Sequence, residues 1–212
     1  MTTTTVPSIP MQRAPGTTSG RPVDHGPYLH RAVLSDGLRV AVRGLRPEDR
    51  DDVRDGFEHL SLDSRFRRFL GAKPVLTARD LSVLIDGVDQ HNHFAVVLVW
   101  PRTSQADVLL GVARFIRCRG RADTADVAVT VADEIQGRGA GNLLMRLLAA
   151  AGLERGITRF SASVLPSNEA SYRLLASVGT VVDDQVETGC RDITVRLAPE
   201  TTTRSADDWL DA

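Results

Sequence analysis

The sequence predicts an α/β chain built on one mixed sheet flanked by helices, with antiparallel strands in its N-terminal half and a parallel strand–helix–strand unit behind them. Three observations predict it. Strand-like alternation and helical spacing follow one another in the order strand, helices, three strands, helix, strand, helix, two strands. The three consecutive strands have no helix between them, so they read as an antiparallel meander. Residues 126–164 then pass from strand to helix to strand, and such a crossover joins parallel neighbours with a right hand.

The elements follow in order. LRVAVRGL, from Leu38, alternates and sets Val40 and Val42 on one face. PEDRDDVRDGFEHL is a helix: Pro47 suits the first turn, where its missing N–H is no loss, and acidic residues sit at the positive end of the helix dipole. SLDSRFRRFL is a second short helix capped by Ser61. In it Phe66 and Phe69 are expected to pack inward, while Arg65, Arg67 and Arg68 stay solvated or pair with acids. LTARDLSVLID takes Thr77 as its cap. NHFAVVLVW and DVLLGVARFIR are strands. DVAVTV alternates strictly, with Asp126, Ala128 and Thr130 facing one way and Val127, Val129 and Val131 the other. A helix from Gly139 to Arg155 presents Leu143, Leu144, Leu147, Leu148 and Ala151 as an apolar stripe. ITRFSASVL is a strand, and SNEASYRLLASV a helix capped by Ser167 or Asn168. TVVDDQVE and CRDITVRL close as a hairpin around Glu187–Gly189.

Residues 31–199 form the expected domain. Residues 1–30 are rich in Thr, Pro, Gly and Ser and read as a disordered tail, and residues 200–212 as a polar acidic one. A net charge of -1 gives no global argument for nucleic acid or an acidic membrane as partner. No apolar run approaches the roughly 20 residues that cross a bilayer, and no secretory leader is visible, so a cytoplasmic protein is expected. Cys118 and Cys190 are far apart, lack a CxxC spacing and read as free thiols. His91 and His93 flank Asn92, but no cysteine or acidic cluster supports a metal there, so QHNHF reads as a turn before a strand and no metal is expected.

The stretch IQGRGAGNLL, from Ile135, holds the candidate site. A helix start leaves backbone N–H groups unpaired at the positive end of its dipole, where an anionic phosphate satisfies both needs. Gly137, Gly139 and Gly141 let the backbone approach such an anion, and Arg138 adds a positive charge. The same glycines also suit a plain strand-to-helix turn without a ligand. The loop is not a Walker motif, having no Lys–Ser/Thr after its last glycine, and its GxGxG spacing is not the dinucleotide fingerprint.

With these residues in view, the run from DVAVTVADEIQGRGAG to LLASVG resembles the core of the GNAT-type N-acetyltransferases. Gln136, Gly139 and Gly141 stand at the family's Q/R-x-x-G-x-G/A loop. The upstream LRPEDRDDVRDGFEHLSLDSRFRRFL is similar to bacterial protein lysine acetyltransferases of the Pat type, and the likeness covers residues 37–179. It implies a GNAT-like fold and an acetyl-CoA site. The diphosphate would rest on the N–H groups of Gln136, Gly137, Arg138, Gly139, Ala140, Gly141 and Asn142. The pantetheine arm would pair like an extra strand with Val129, Thr130 and Val131, and a strand N–H would polarise the thioester carbonyl. Asn168 would touch that arm while also suiting a helix cap. The resemblance further implies direct acetyl transfer to an amine, a protein lysine first, with a small-molecule amine or a non-catalytic acyl-CoA sensor as alternatives. Its base would be Asp126, where Pat-like enzymes have a glutamate one methylene longer. Where many GNAT enzymes have an acid tyrosine, this chain has Leu175, with Tyr172 nearby.

Overall fold

The computed structural model describes residues 29–102 and 106–199. The C-terminal tail and residues 1–28 of the N-terminal one lie outside the described residues. The chain folds as β1 (His30–Val33), β2 (Arg39–Gly44), a 3-10 turn (Pro47–Asp49), α1 (Arg50–His59), α2 (Leu62–Phe69), α3 (Ala78–Leu81) and a π-helical turn (Ser82–Asp86). Then come β3 (His93–Trp100), β4 (Val108–Arg117), β5 (Thr124–Val131), a 3-10 turn (Asp133–Ile135), α4 (Ala140–Glu154), β6 (Arg159–Val164), α5 (Glu169–Ala176), β7 (Gly179–Glu187) and β8 (Cys190–Leu197). The strands form one eight-stranded sheet in the order β1-β2-β3-β4-β5-β6-β8-β7. The meander β3–β4–β5 is antiparallel, and β5–β6 is a parallel pair.

β1 was not legible from the sequence. Four residues are too few to show a period, and the strand exists because it pairs with β2, from His30↔Val42 to Val33↔Arg39.

The sheet buries both faces, which is why β3 reads as a continuous apolar run rather than as an alternating one. On one side Val42, Val96, Phe115 and Phe160 meet Leu144 and Leu148 of α4. On the other, Ala41, Val97 and Val99 meet Val53 and Phe57 of α1, with Leu81 and Ile85. The two helical layers therefore sandwich the sheet, and β5 presents a different edge environment to each.

The helix starts follow local chemistry. Ser61 accepts from the Ser64 N–H, and Thr77 and Asp80 form a reciprocal capping box. In α2 the inward packing splits: Phe69 meets Phe57 edge-on at 5.6 Å, whereas Phe66 is 44% exposed. Eight residues on the rim of the sheet bury one narrow stripe, and Arg65 and Arg68 share it with Phe69. Arg65 is partly exposed and not acid-paired; it donates to the carbonyls of Leu60, Pro74 and Glu58. Arg67 pairs with Asp63 at 2.8 Å, as expected.

QHNHF is a turn. Asp89 accepts the N–H groups of His91, Asn92 and His93, each at 2.8 Å. Those bonds, His93's first, hold the Asp89 carboxyl down at about 2. The group binds its proton more readily in the unfolded chain, so its contribution to stability is complete above about pH 4 and fades as pH falls towards 2. The gap in urea midpoint between the native chain and Asp89→Asn is expected to be constant near neutrality and to narrow below pH 4.

Gly179 is fixed by close approach. A Cβ there would stand 2.0 Å from the Arg196 carbonyl oxygen across the β7–β8 ladder. Backbone cannot swing aside as a side chain can, so Gly179→Ala is expected to cost about 3 kcal/mol in a urea titration. A cost below about 1 kcal/mol would show that the hairpin yields.

Candidate active site

β5 and β6 pair only from Thr124↔Arg159 to Asp126↔Ser161. Beyond that rung they part: β6 continues on β8, while Val127 to Val131 keep β4 as their sole partner strand among the described residues. The result is a V-shaped cleft between the two strands, closed by the first turns of α4 and α5. The Ala132 N–H donates to the Leu110 carbonyl on β4. Alternation then turns the main-chain groups of Ala128 and Thr130 to β4, and those of Val127, Val129 and Val131 to the open side. Consistent with this, the Val131 carbonyl accepts from the Gln136 side chain at 3.1 Å.

The glycine loop lies at the wide end of the V, beyond the C-terminal end of β5. Gly137 and Gly139 take φ values of 75° and 91°, the left-handed region that costs other residues about 1–2 kcal/mol. Alternating this conformation with ordinary backbone turns successive N–H groups to one side, an anion-binding nest. Among the described residues, the N–H groups of Gly137 through Asn142 have no hydrogen-bond acceptor. Leu143 is the first to bond within the helix, to Gly139. The Gln136 N–H is different, since it donates to Asp133.

Side chains brace this loop from both sides. Asp133 accepts from the Ser61 N–H at 2.6 Å, from Gln136 Nε2 at 2.8 Å and from the Ser64 hydroxyl. Burial pushes the Asp133 carboxyl up, but the bonds from Ser64, Ser61 and Gln136 outweigh it and keep the group below its usual range. Gln136 therefore acts as a strut that ties α2 to the loop. Arg138 points away from the expected mouth: its guanidinium pairs with Asp36, and its carbonyl accepts the Ser35 N–H. The cations that line the cleft are Arg67, Arg68 and Arg173.

Val129, Thr130, Val131, Gln136, Gly137, Gly139, Gly141, Asn142 and Asn168 thus meet in one cleft, whereas Arg138, Ala140 and Asp126 are outside its lining. Ala140 is buried beneath the loop. Asn168 caps α5 by accepting the Ser171 N–H at 3.1 Å through Oδ1, which leaves its side-chain NH2 for the cleft. Asp126 sits at the last paired rung, exposed, and receives the Ser161 hydroxyl proton as a hydrogen bond. Leu175 is buried at the back of the cleft and lines it, whereas Tyr172 lies under the Arg191 guanidinium at 4.1 Å, outside the cleft lining. Sequence reasoning missed Val127, Met145 and Arg173 in the lining and Asp133 as the brace. Only Val127, as the next residue of period two after Val129, had a signal that pointed to it. Cys118 and Cys190 are free thiols, and no group able to hold a metal occurs among the described residues.

A strand edge left open beside a nest at a helix start is a cofactor geometry, and its sequence has kin. Residues 54–179 match the Acetyltransferase (GNAT) family. The chain belongs to the GNAT acetyltransferase family. This GNAT domain is 33% identical over 141 residues to the acetyltransferase Pat of Mycolicibacterium smegmatis, covering 66% of this chain and 40% of that protein. It is 32% identical over 148 residues to the acetyltransferase PA5475 of Pseudomonas aeruginosa, covering 70% and 78%. Among solved structures, the GNAT domain of S. lividans PAT superposes with a TM-score of 0.68 at 27% identity, over 79% of this chain and 96% of that one. The mixed sheet expected from the sequence is therefore the GNAT fold.

Proposed function

We propose that this GNAT domain moves the acetyl group of acetyl-CoA directly to an amine, and that the ε-amine of a protein lysine is its acceptor. The observation that carries the reading is the open main chain of Val127–Val131 running into the unpaired N–H groups of Gly137–Asn142. The diphosphate takes the N–H groups, with Arg67 and Arg173 at the rim. The amides of the pantetheine arm pair with Val129 and Val131 as an added strand, and the Asn168 NH2 meets the arm from α5. A free N–H of β5 faces the thioester carbonyl and favours the oxyanion that forms on attack.

A lysine ammonium, with an ordinary pKa near 10.4, must first lose a proton. Asp126 takes it through a bridging water. The amine nitrogen then bonds to the thioester carbon, the C–S bond breaks to leave CoA thiolate, and the nitrogen's surplus proton passes through water to that thiolate. With thiol pKa values near 8.5, that thiolate departs without a dedicated acid, which suits a cleft whose lining contains no tyrosine among the described residues. The similarity to Pat-type enzymes supports lysine as the acceptor. A small amine is the second reading, favoured by the small, mostly apolar pocket on the face of β5 that meets α1 and α2. Incubating the purified chain and acetyl-CoA with a cell lysate is expected to add acetyl-lysines detectable by mass spectrometry. Acetylated small molecules alone would remove the lysine assignment, and no acetylated product would remove catalysis.

A further inference from the structure

On the face of β5 that meets α1 and α2 lies a second cavity. Its walls are apolar, with Val53, Phe57, Leu60 and Leu76 among them, and its floor is β4 and β5. It touches the cofactor cleft through Ala128, Thr130 and Arg68, which line both. Among the described residues two charged side chains line it, Arg68 and Arg114, and both are cations.

Neither has an anion among the described residues. Arg114 is 5% exposed and bonds only through Nη1, to the Leu84 carbonyl at 2.7 Å and to His93 Nε2 at 3.2 Å. Its Nε and Nη2 have no acceptor among the described residues. Arg68 lies over the Phe69 ring at 5.0 Å and makes no ion pair. Burial, and then the charge of Arg68, lower Arg114 to about 9, and burial lowers Arg68 as well. Two like charges side by side, Arg114 buried and Arg68 half-buried, raise each other's energy, and folding gains nothing by keeping them so. Elsewhere the same chain pairs its buried Arg43 with Asp49 at 2.7 Å. The cavity is thus lined by two cations that no anion among the described residues neutralises.

We propose that Arg68 and Arg114 form the acceptor's anion subsite and take a carboxylate borne a few bonds from the amine that is acetylated. This rests on the acetyltransferase reading. Cross-strand register sets the face: Arg114 opposes Ala128, one residue-pair along the same face from the Ile116↔Asp126 rung. The backbones of such diagonal neighbours lie roughly 7–8 Å apart, so one small molecule with its carboxylate on the Arg114 side chain has its amine on the same sheet face as Asp126. A guanidinium fork matches a planar carboxylate, and a singly charged group suits these apolar walls better than a phosphate, which brings more charge to desolvate. The carboxylate has two possible sources, a small amino acid's own acid group or an acidic side chain beside a protein lysine.

Calorimetry on the full chain saturated with CoA tests binding without requiring turnover. The probes are 5-aminopentanoate against its neutral amide, and the peptide Ala-Lys-Asp against Ala-Lys-Asn. At least tenfold tighter binding of the carboxylate member is expected in one pair, and that pair names the source. The preference should fall below threefold in Arg114→Gln and in Arg68→Gln, the latter on the helix rim where folding is not at stake. Equal affinity within each pair, no measurable binding of any probe, or a preference that survives both substitutions would overturn the subsite. A carboxylate preference in a protein that acetylates nothing would keep the subsite and remove the catalytic reading instead.

Discussion

Replacing Gly139 by valine is expected to weaken coenzyme A binding by roughly 100-fold while the sheet stays folded. Gly139 caps α4 at φ 91°, and a Cβ built there meets nothing within 4 Å. The penalty is therefore conformational and not a clash. A β-branched residue held in the left-handed region costs more than the about 1–2 kcal/mol typical of other side chains. Either the valine stays in place, and the domain loses some 2–4 °C of melting temperature per kcal/mol, or the loop relaxes. Relaxation swings the N–H groups of Gly137 and Ala140 away from a common point, and a hydrogen bond to a charged group is worth about 1.5–3 kcal/mol. Losing one or two of them gives the affinity change expected. Titration calorimetry measures the affinity and circular dichroism checks the fold. Native affinity in a folded Gly139→Val chain would show that the diphosphate rests elsewhere.

That loop also shows what a sequence reveals and what it conceals. The alternation of DVAVTV and the stripe Leu144–Leu148 follow from local period, so the orientation of β5 and the buried face of α4 were legible. The length of the β5–β6 pairing was not, since it is set by residues 124–126 meeting 159–161 across an intervening helix. The splay that makes the cleft is therefore a tertiary fact. Arg138 illustrates the same limit. Its place beside three glycines suggests a phosphate ligand, but Asp36, on the turn between β1 and β2, claims the charge. Gln136 was legible as the edge of the site, but not as a strut, because Asp133 and Ser64 reach it from the 3-10 turn and from α2. Arg68 and Arg114 read separately as a solvated helix residue and a strand residue. Only the packing of α2 over β4 and β5 makes them neighbours.

Exchanging Asp126 for asparagine is expected to cut kcat by about 100-fold or more, the range that a positioned base supplies, with coenzyme A affinity unchanged within twofold. The two readouts separate because Asp126 lies outside the cofactor cleft and on the sheet face shared with Ala128 and Thr130. It stands where β5 and β6 part, so a water there can touch both the carboxylate and an amine approaching the open strand. Asparagine keeps the shape and the ability to accept from the Ser161 hydroxyl but cannot take a proton. Ser161→Ala removes only the donor that orients the carboxylate, so a loss of a few-fold is expected, with a greater change in kcat than in KM. Asp126→Glu lengthens the arm by one methylene and is expected to match or exceed the native rate, since it shortens the span that the water must bridge. The three variants together test position as well as charge. If Asp126→Asn turns over at the native rate, the proton leaves by another route, and the carboxylate is a strand-end residue held by Ser161. If the native chain binds coenzyme A but yields no acetylated product, the cleft senses acyl-CoA, and the shorter carboxylate explains why it does not catalyse.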